Sequence, residues 1–154
     1  MDQPSTSPSR LNFAPRKWNI LIVEDSGTDL FLMREAIDGA GVTADIQVLR
    51  DGHAATKYFD EVEASENRPC PDLTLLDLNL PKKSGGEVLA HVRGGERCKD
   101  AKVLIVSSAD ARQARGPLEV LDIAGYFKKP SNYAEFMKLG SIVKGLLEPF
   151  PRMK

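Results

Sequence analysis

Glu24 and Asp25 follow the apolar run Ile20–Val23, Asp77 follows Leu73–Leu76, Ser107 follows Val103–Val106, and Lys129 comes just after Tyr126–Phe127. Taken singly, each has an ordinary structural use. An acidic pair after a strand caps the next helix, as Asp25 or Ser26 would here. An aspartate starts a turn, a lysine is solvated, and a serine opens a loop. Together, at the ends of four apolar runs, they form a chemical set. Three carboxylates brought close repel one another and need a compensating charge. A hard cation with oxygen ligands supplies it, and Mg²⁺ takes one or two carboxylates while keeping waters and accepting phosphate oxygens. A carboxylate is also a nucleophile that can form an acyl phosphate. Phosphoryl transfer needs mainly positioning and neutralisation of three oxygens. The cation would serve one, the Lys129 ammonium a second, and the Ser107 hydroxyl with a backbone N–H the third.

The elements that must hold these groups are legible in the apolar pattern. Five runs, the four above and Ile46–Leu49, read as strands, three of them nearly continuous stretches of the kind buried on both faces of a parallel sheet. Helical spacing lies between them. Leu30, Met33, Ile37 and Ala40 mark a first helix that Gly39 or Gly41 can end, and Ala55, Tyr58, Phe59 and Val62 mark a second. Val88, Leu89 and Val92 mark a third, closed by Gly94-Gly95. The last is read as one long helix, with Asn132 as cap, Glu135 three residues on as in a capping box, and a stripe of Phe136, Leu139, Ile142, Val143 and Leu146. Strands alternating with helices predict βαβ units with helices on both faces of one sheet. In such a sheet, ligands bind beyond the carboxyl ends of the strands, which is where the polar set falls.

The segments ILIVED ending at Asp25, LTLLDLNLPKKSGGEVL around Asp77, VLIVSS ending at Ser108 and GYFKKP ending at Pro130 together resemble response-regulator receiver domains, over roughly Trp18 to Leu147. The resemblance implies an α/β, flavodoxin-like, doubly wound fold: a five-stranded parallel sheet of order 2-1-3-4-5. It implies that Asp77 is the phosphoacceptor, that Asp25 and Asp77 bind Mg²⁺, that Glu24 acts mainly through water, and that the Asn79 backbone carbonyl is the remaining ligand. Ser107 fills the Thr/Ser position, Lys129 the characteristic lysine, and Tyr126 the switch aromatic that turns inward when Ser107 is drawn to the phosphoryl group. The phosphoryl source would be a sensor histidine kinase. Activity would be confined to Mg²⁺-dependent self-phosphorylation and self-dephosphorylation. LDLNLP followed by GGEVLAHVR, with KPSNYAEFMKLGSIV, is similar to the stand-alone regulators paired with phytochromes. The resemblance, and the sharp turn that would point Lys129 back to the site, predict a cis bond before Pro130.

The remaining features bound the reading. A length of 154 residues suits one domain, and the division expected is a disordered leader over 1–16, a receiver domain over 17–148 and a short tail over 149–154. The leader is polar, with three prolines, and lacks the apolar stretch of a secretory signal. A net charge of −1 gives no electrostatic footprint for nucleic acid, and no apolar run approaches the length of a membrane span. Cys70 and Cys98 are read as reduced thiols of a cytoplasmic protein. A homodimer is expected through the last helix and its neighbours, which carry more apolar surface than one sheet face needs. Gly116-Pro117 interrupts the helix expected over 111–121, so the regular helix should begin at Pro117. Three other functions compete. A flavin would need phosphate held by the loop after the first strand, where Glu24 and Asp25 repel it. A pseudo-receiver acting only as an interaction module would have no use for the intact Asp25, Asp77, Ser107 and Lys129 set. A phosphatase or other turnover enzyme would need a separate general base, and His53, in the loop before the second helix, and His91, within the third, are not placed for it.

Overall fold

The computed structural model describes residues 17–110 and 122–148. The expected leader, the helix over 111–121 with its Gly116-Pro117 break, and the tail over 149–154 lie outside the described residues. Five strands form one sheet: β1 (Trp18–Val23), β2 (Ala44–Leu49), β3 (Leu73–Leu76), β4 (Val103–Ser107) and β5 (Gly125–Lys128). All neighbours are parallel, in the order β2-β1-β3-β4-β5, as the doubly wound reading requires.

Burial on both faces explains why β1, β3 and β4 read as apolar runs. In β1, Ile20 and Ile22 enter a core with α1 (Gly27–Gly39), α4 (Tyr133–Met137) and α5 (Leu139–Leu147). Leu21 and Val23 enter the opposite core with α2 (Gly52–Glu63) and α3 (Gly85–Arg93). The period of two along each strand thus feeds two layers. β2, at the margin, alternates exposed and half-buried residues.

Among the described residues, short polar side chains set the turns from strand to helix. Ser26 Oγ accepts from the Asp29 N–H at 3.2 Å to cap α1, and Asp51 Oδ1 accepts from Ala54 at 2.7 Å to cap α2. Ser84 and Glu87 form a reciprocal capping box at α3. The first helix ends at Ala40, followed by Gly41 at φ +80°, a conformation that glycine adopts without penalty.

The final helix departs from the expectation of a single rod. It is divided at Lys138, whose N–H bonds back three residues to Glu135 O at 3.2 Å, a tightened turn between α4 and α5. The cause lies one turn on. A Cβ at Gly140 would stand 2.1 Å from Ala36 O, so α5 must come against the α1 backbone at an angle set by that contact. Ile142 is left outside the apolar stripe, 39% exposed.

The cysteines also differ from expectation. Cys70 and Cys98 form a disulfide with Cα atoms 5.7 Å apart. They lie 28 residues apart in two loops that precede β3 and β4, and spacing alone does not reveal their proximity. Glu63 brings them together. From the end of α2 its carboxylate accepts from the backbone N–H groups of Glu96 (3.2 Å), Arg97 (2.8 Å) and Cys98 (2.8 Å), folding that loop back toward Cys70. Those bonds hold the Glu63 carboxyl below the ordinary carboxylate range.

Candidate functional site

Strand register assembles the site. Val23 lies opposite Leu76, so the next residues out of the sheet, Glu24 and Asp77, leave side by side. The Asp77 N–H donates to Val23 O at 3.1 Å and the Glu24 N–H to Leu49 O at 3.0 Å, extending the ladder into both acids. Glu24 and Asp77 are buried, at 1% and 5% exposure, while Asp25 is exposed. Carboxylate oxygens of these three residues lie within 4.8 Å of one another. Asp77 Oδ1 accepts from the Asn79 N–H at 3.2 Å, which ties the following loop to the acid.

On the far side, Ser107 of β4 lies opposite Lys128, and the Lys129 N–H donates to Ser107 O at 2.8 Å. This bond carries the strand one residue further and sends the Lys129 side chain across the carboxyl end of the sheet. Its ammonium donates to Glu24 Oε1 at 2.8 Å, Asp29 Oδ2 at 2.8 Å and Asp77 Oδ2 at 3.3 Å. All three N–H groups are engaged. Burial works against the charged form, but the bonds to Asp29 and Glu24 outweigh it and hold Lys129 above the ordinary lysine range. Burial raises the Glu24 carboxyl against the pull of that same ammonium.

The expected cis bond before Pro130 is not found: among the described residues every peptide bond is trans. The Lys129-to-Ser107 bond explains why a cis turn is unnecessary. Strand continuation already aims Lys129 at the acids, and the chain turns later, at Ser131 and Asn132, where Asn132 Oδ1 accepts from the Glu135 N–H at 2.9 Å. The trans form is the intrinsically preferred one for X–Pro, by about 0.5–1 kcal/mol.

Ser107 is fully buried, and its Oγ accepts from the Ala109 N–H at 3.2 Å. Tyr126 is half-buried at the edge of the α2/α3 core, with its hydroxyl donating to Ala109 O at 2.6 Å. Burial raises its phenol above the usual range. Tyr126 and Ser107 thus share the first residues after β4. His91 pairs with Asp60 at 2.7 Å on the surface between α3 and α2, and His53 is exposed at the start of α2.

Asp29 is the site residue that sequence reasoning missed. It reads as an ordinary acid in the first turn of a helix, where the macrodipole favours it. No sequence signal separates it from other first-turn acids, because Asp25 precedes the cap Ser26 and shares no helical face with it.

The chain matches the response regulator receiver domain family model over residues 20–139. It is 34% identical over 120 residues to the response regulator Rcp1 of Synechocystis sp., covering 78% of this chain and 82% of that protein. Its fold is similar to the crystal structure of the phosphorylated cyanobacterial phytochrome response regulator RcpA, at 30% identity and TM-score 0.78, covering 88% of this chain and 97% of that one. The Mn²⁺-bound form of Rcp1 is similar at 32% identity and TM-score 0.73, covering 83% and 92%. No helix among the described residues is long and apolar enough to cross a membrane. With the sheet order, the acids at its carboxyl end and the lysine reaching across them, these matches establish that the chain belongs to the response regulator receiver domains.

Proposed function

We propose that Asp77 accepts a phosphoryl group from a sensor histidine kinase in the presence of Mg²⁺, and that the modified domain acts on a partner protein. The observation that carries this reading is the buried Lys129 ammonium, 3.3 Å from Asp77 Oδ2 on one side, with the Glu24, Asp25 and Asp77 carboxylates gathered on the other. Those acids fit a hard divalent cation, since all their donor atoms are oxygens and they lie within 4.8 Å of one another. Asp25 and Asp77, with the Asn79 carbonyl, would hold Mg²⁺, and Glu24 would act through water. When bound, the ion neutralises phosphoryl oxygens and offsets the repulsion among the acids.

An Asp77 carboxylate oxygen forms the new O–P bond as the donor's N–P bond breaks and its imidazole departs. Lys129 faces a phosphoryl oxygen, and the Ser107 hydroxyl gives up its bond with Ala109 to face another. Tyr126, held to the same Ala109 by its hydroxyl, is then released to repack. The pairing with a phytochrome-type kinase rests on the similarity to the phytochrome response regulator RcpA, and the cytoplasmic location on the nature of such a kinase partner. The dimer is assigned to α4, α5 and their neighbours. Light scattering should detect a dimer at high protein concentration with a phosphoryl mimic, and monomer alone would refute it.

Intact mass measurement with Mg²⁺ and acetyl phosphate tests the central claim. Wild type should gain one phosphoryl group, while Asp77→Asn and metal-chelated samples should gain none. A stable phosphoryl group on Asp77→Asn would overturn the assignment.

A further inference from the structure

Lys129 is over-supplied with negative charge. One carboxylate compensates an ammonium, yet Glu24, Asp29 and Asp77 all bond to it, and Asp25 stands beside them. Charge balance alone does not require Asp29, and a fourth acid adds repulsion in a pocket where Lys129 is only 9% exposed. The three bonds are not equivalent. Glu24 and Asp77 belong to the group whose oxygens converge on a cation-sized space; Asp29 is outside that group. A divalent ion and a phosphoryl group would draw on Glu24 and Asp77 and leave Asp29 alone.

Asp29 is also the one of the three that stands on a helix, apart from the strand ends that carry Glu24 and Asp77. It lies in the first turn of α1, and its N–H is bound to the cap Ser26. Lys129, in contrast, stands in the irregular stretch between β5 and α4 on a side chain with four rotatable bonds. The Asp29 bond therefore ties the end of that long side chain to a capped helix, which is how a catalytic group is held in geometry.

We infer that Asp29 is a positioning residue for phosphoryl transfer: its carboxylate fixes the Lys129 ammonium over Asp77 and keeps one N–H while another turns from Asp77 to an incoming phosphoryl oxygen. This rests on the proposed role of Asp77. Asp29 touches neither phosphorus nor metal, and acts through Lys129 alone.

The test is a double-mutant cycle on the full chain with Mg²⁺ and acetyl phosphate, following intact mass with time across donor concentrations. Asp29→Ala should lower the maximal phosphorylation rate by about tenfold to 100-fold, the latter the scale of a group misplaced by ~1 Å, with little change in the donor concentration giving half that rate. Asp29→Asn, which keeps an oxygen able to accept from the ammonium, should recover to within about threefold of wild type. In a Lys129→Met background, Asp29→Ala should have no further effect, because residues that act through one another are not additive. If Asp29→Ala unfolds below the assay temperature, Asp29→Ser, too short to bond the ammonium, is read in its place. A wild type that gains no mass would overturn the phosphoacceptor reading and this inference with it. A phosphorylatable wild type with an unaffected Asp29→Ala, or equal slowing with and without Lys129, would overturn this inference alone.

Discussion

Lys129→Met should lower the unfolding free energy by about 3–5 kcal/mol at neutral pH without divalent ions, the usual result of leaving a buried charge unpaired. The ammonium is the only cation bonded to Glu24 and Asp77 among the described residues, and both acids are buried. The loss should depend on pH with a defined sign. Burial already raises Glu24 above its unfolded value, and without Lys129 it rises further. A folded state that binds the proton more tightly is relatively most stable below the unfolded glutamate pKa of about 4.3, and loses that advantage as pH rises through the folded value. The gap to wild type should therefore be wide near neutrality and narrow toward the acid side. Millimolar Mg²⁺ should also narrow it, because a ligand that binds only the folded form stabilises by mass action. Urea unfolding at two pH values, with and without Mg²⁺, measures this. A variant as stable as wild type at neutral pH in chelator would show that the acids relax without the lysine.

Gly85→Ala carries the second large effect. A Cβ there would lie 2.2 Å from Asp77 O and 2.7 Å from Leu78 Cα, both backbone atoms with nowhere to yield. The loop between them is folded tightly: the Gly85 N–H donates to Leu78 O at 2.9 Å, the Lys83 N–H to Pro81 O at 2.8 Å, and Lys82 adopts φ +73°. The extra methyl should cost about 3 kcal/mol, the upper end for overpacking, and push Asp77 out of register with Glu24. Phosphorylation should fall with stability. The neighbouring Gly86→Ala meets nothing nearer than Ser84 Oγ at 3.8 Å and lies within α3, so it should be neutral or stabilise by up to about 1 kcal/mol. Equal melting temperatures for the two variants would refute the close approach at Gly85.

The contrast between these glycines shows what a sequence can and cannot carry. Both stand in the same SGGEV stretch and look alike; only the tertiary approach of the Asp77 carbonyl tells them apart. The strands, by contrast, were legible because burial on both faces leaves near-continuous runs such as Leu73–Leu76. Placing Glu24, Asp25, Asp77, Ser107 and Lys129 at strand ends needed only those runs and the rule for parallel sheets. Asp29 was not legible because first-turn acids are common for reasons unrelated to any site. The trans bond at Pro130 depended on one long-range backbone contact with Ser107, and the disulfide on the Glu63 carboxylate gathering a loop more than 30 residues away. Each miss was a contact between segments distant in sequence, where local propensity is silent.

The two outer strands of the sheet carry a consequence for how copies of this protein meet. Among the described residues β2 pairs only with β1, and β5 only with β4, so each leaves a row of backbone donors and acceptors on its outer side. β2 exposes Asp45 and Gln47, and Asp45 is ion-paired with Lys17 at 3.1 Å. β5 is four residues long and ends on exposed Lys128. Charge on one margin and brevity on the other make both poor templates for adding a further strand, the usual guard against open-ended stacking. Two copies that associate are thereby steered to meet through side chains on helices, a contact that can close on itself as a symmetric pair instead of growing into a fibre.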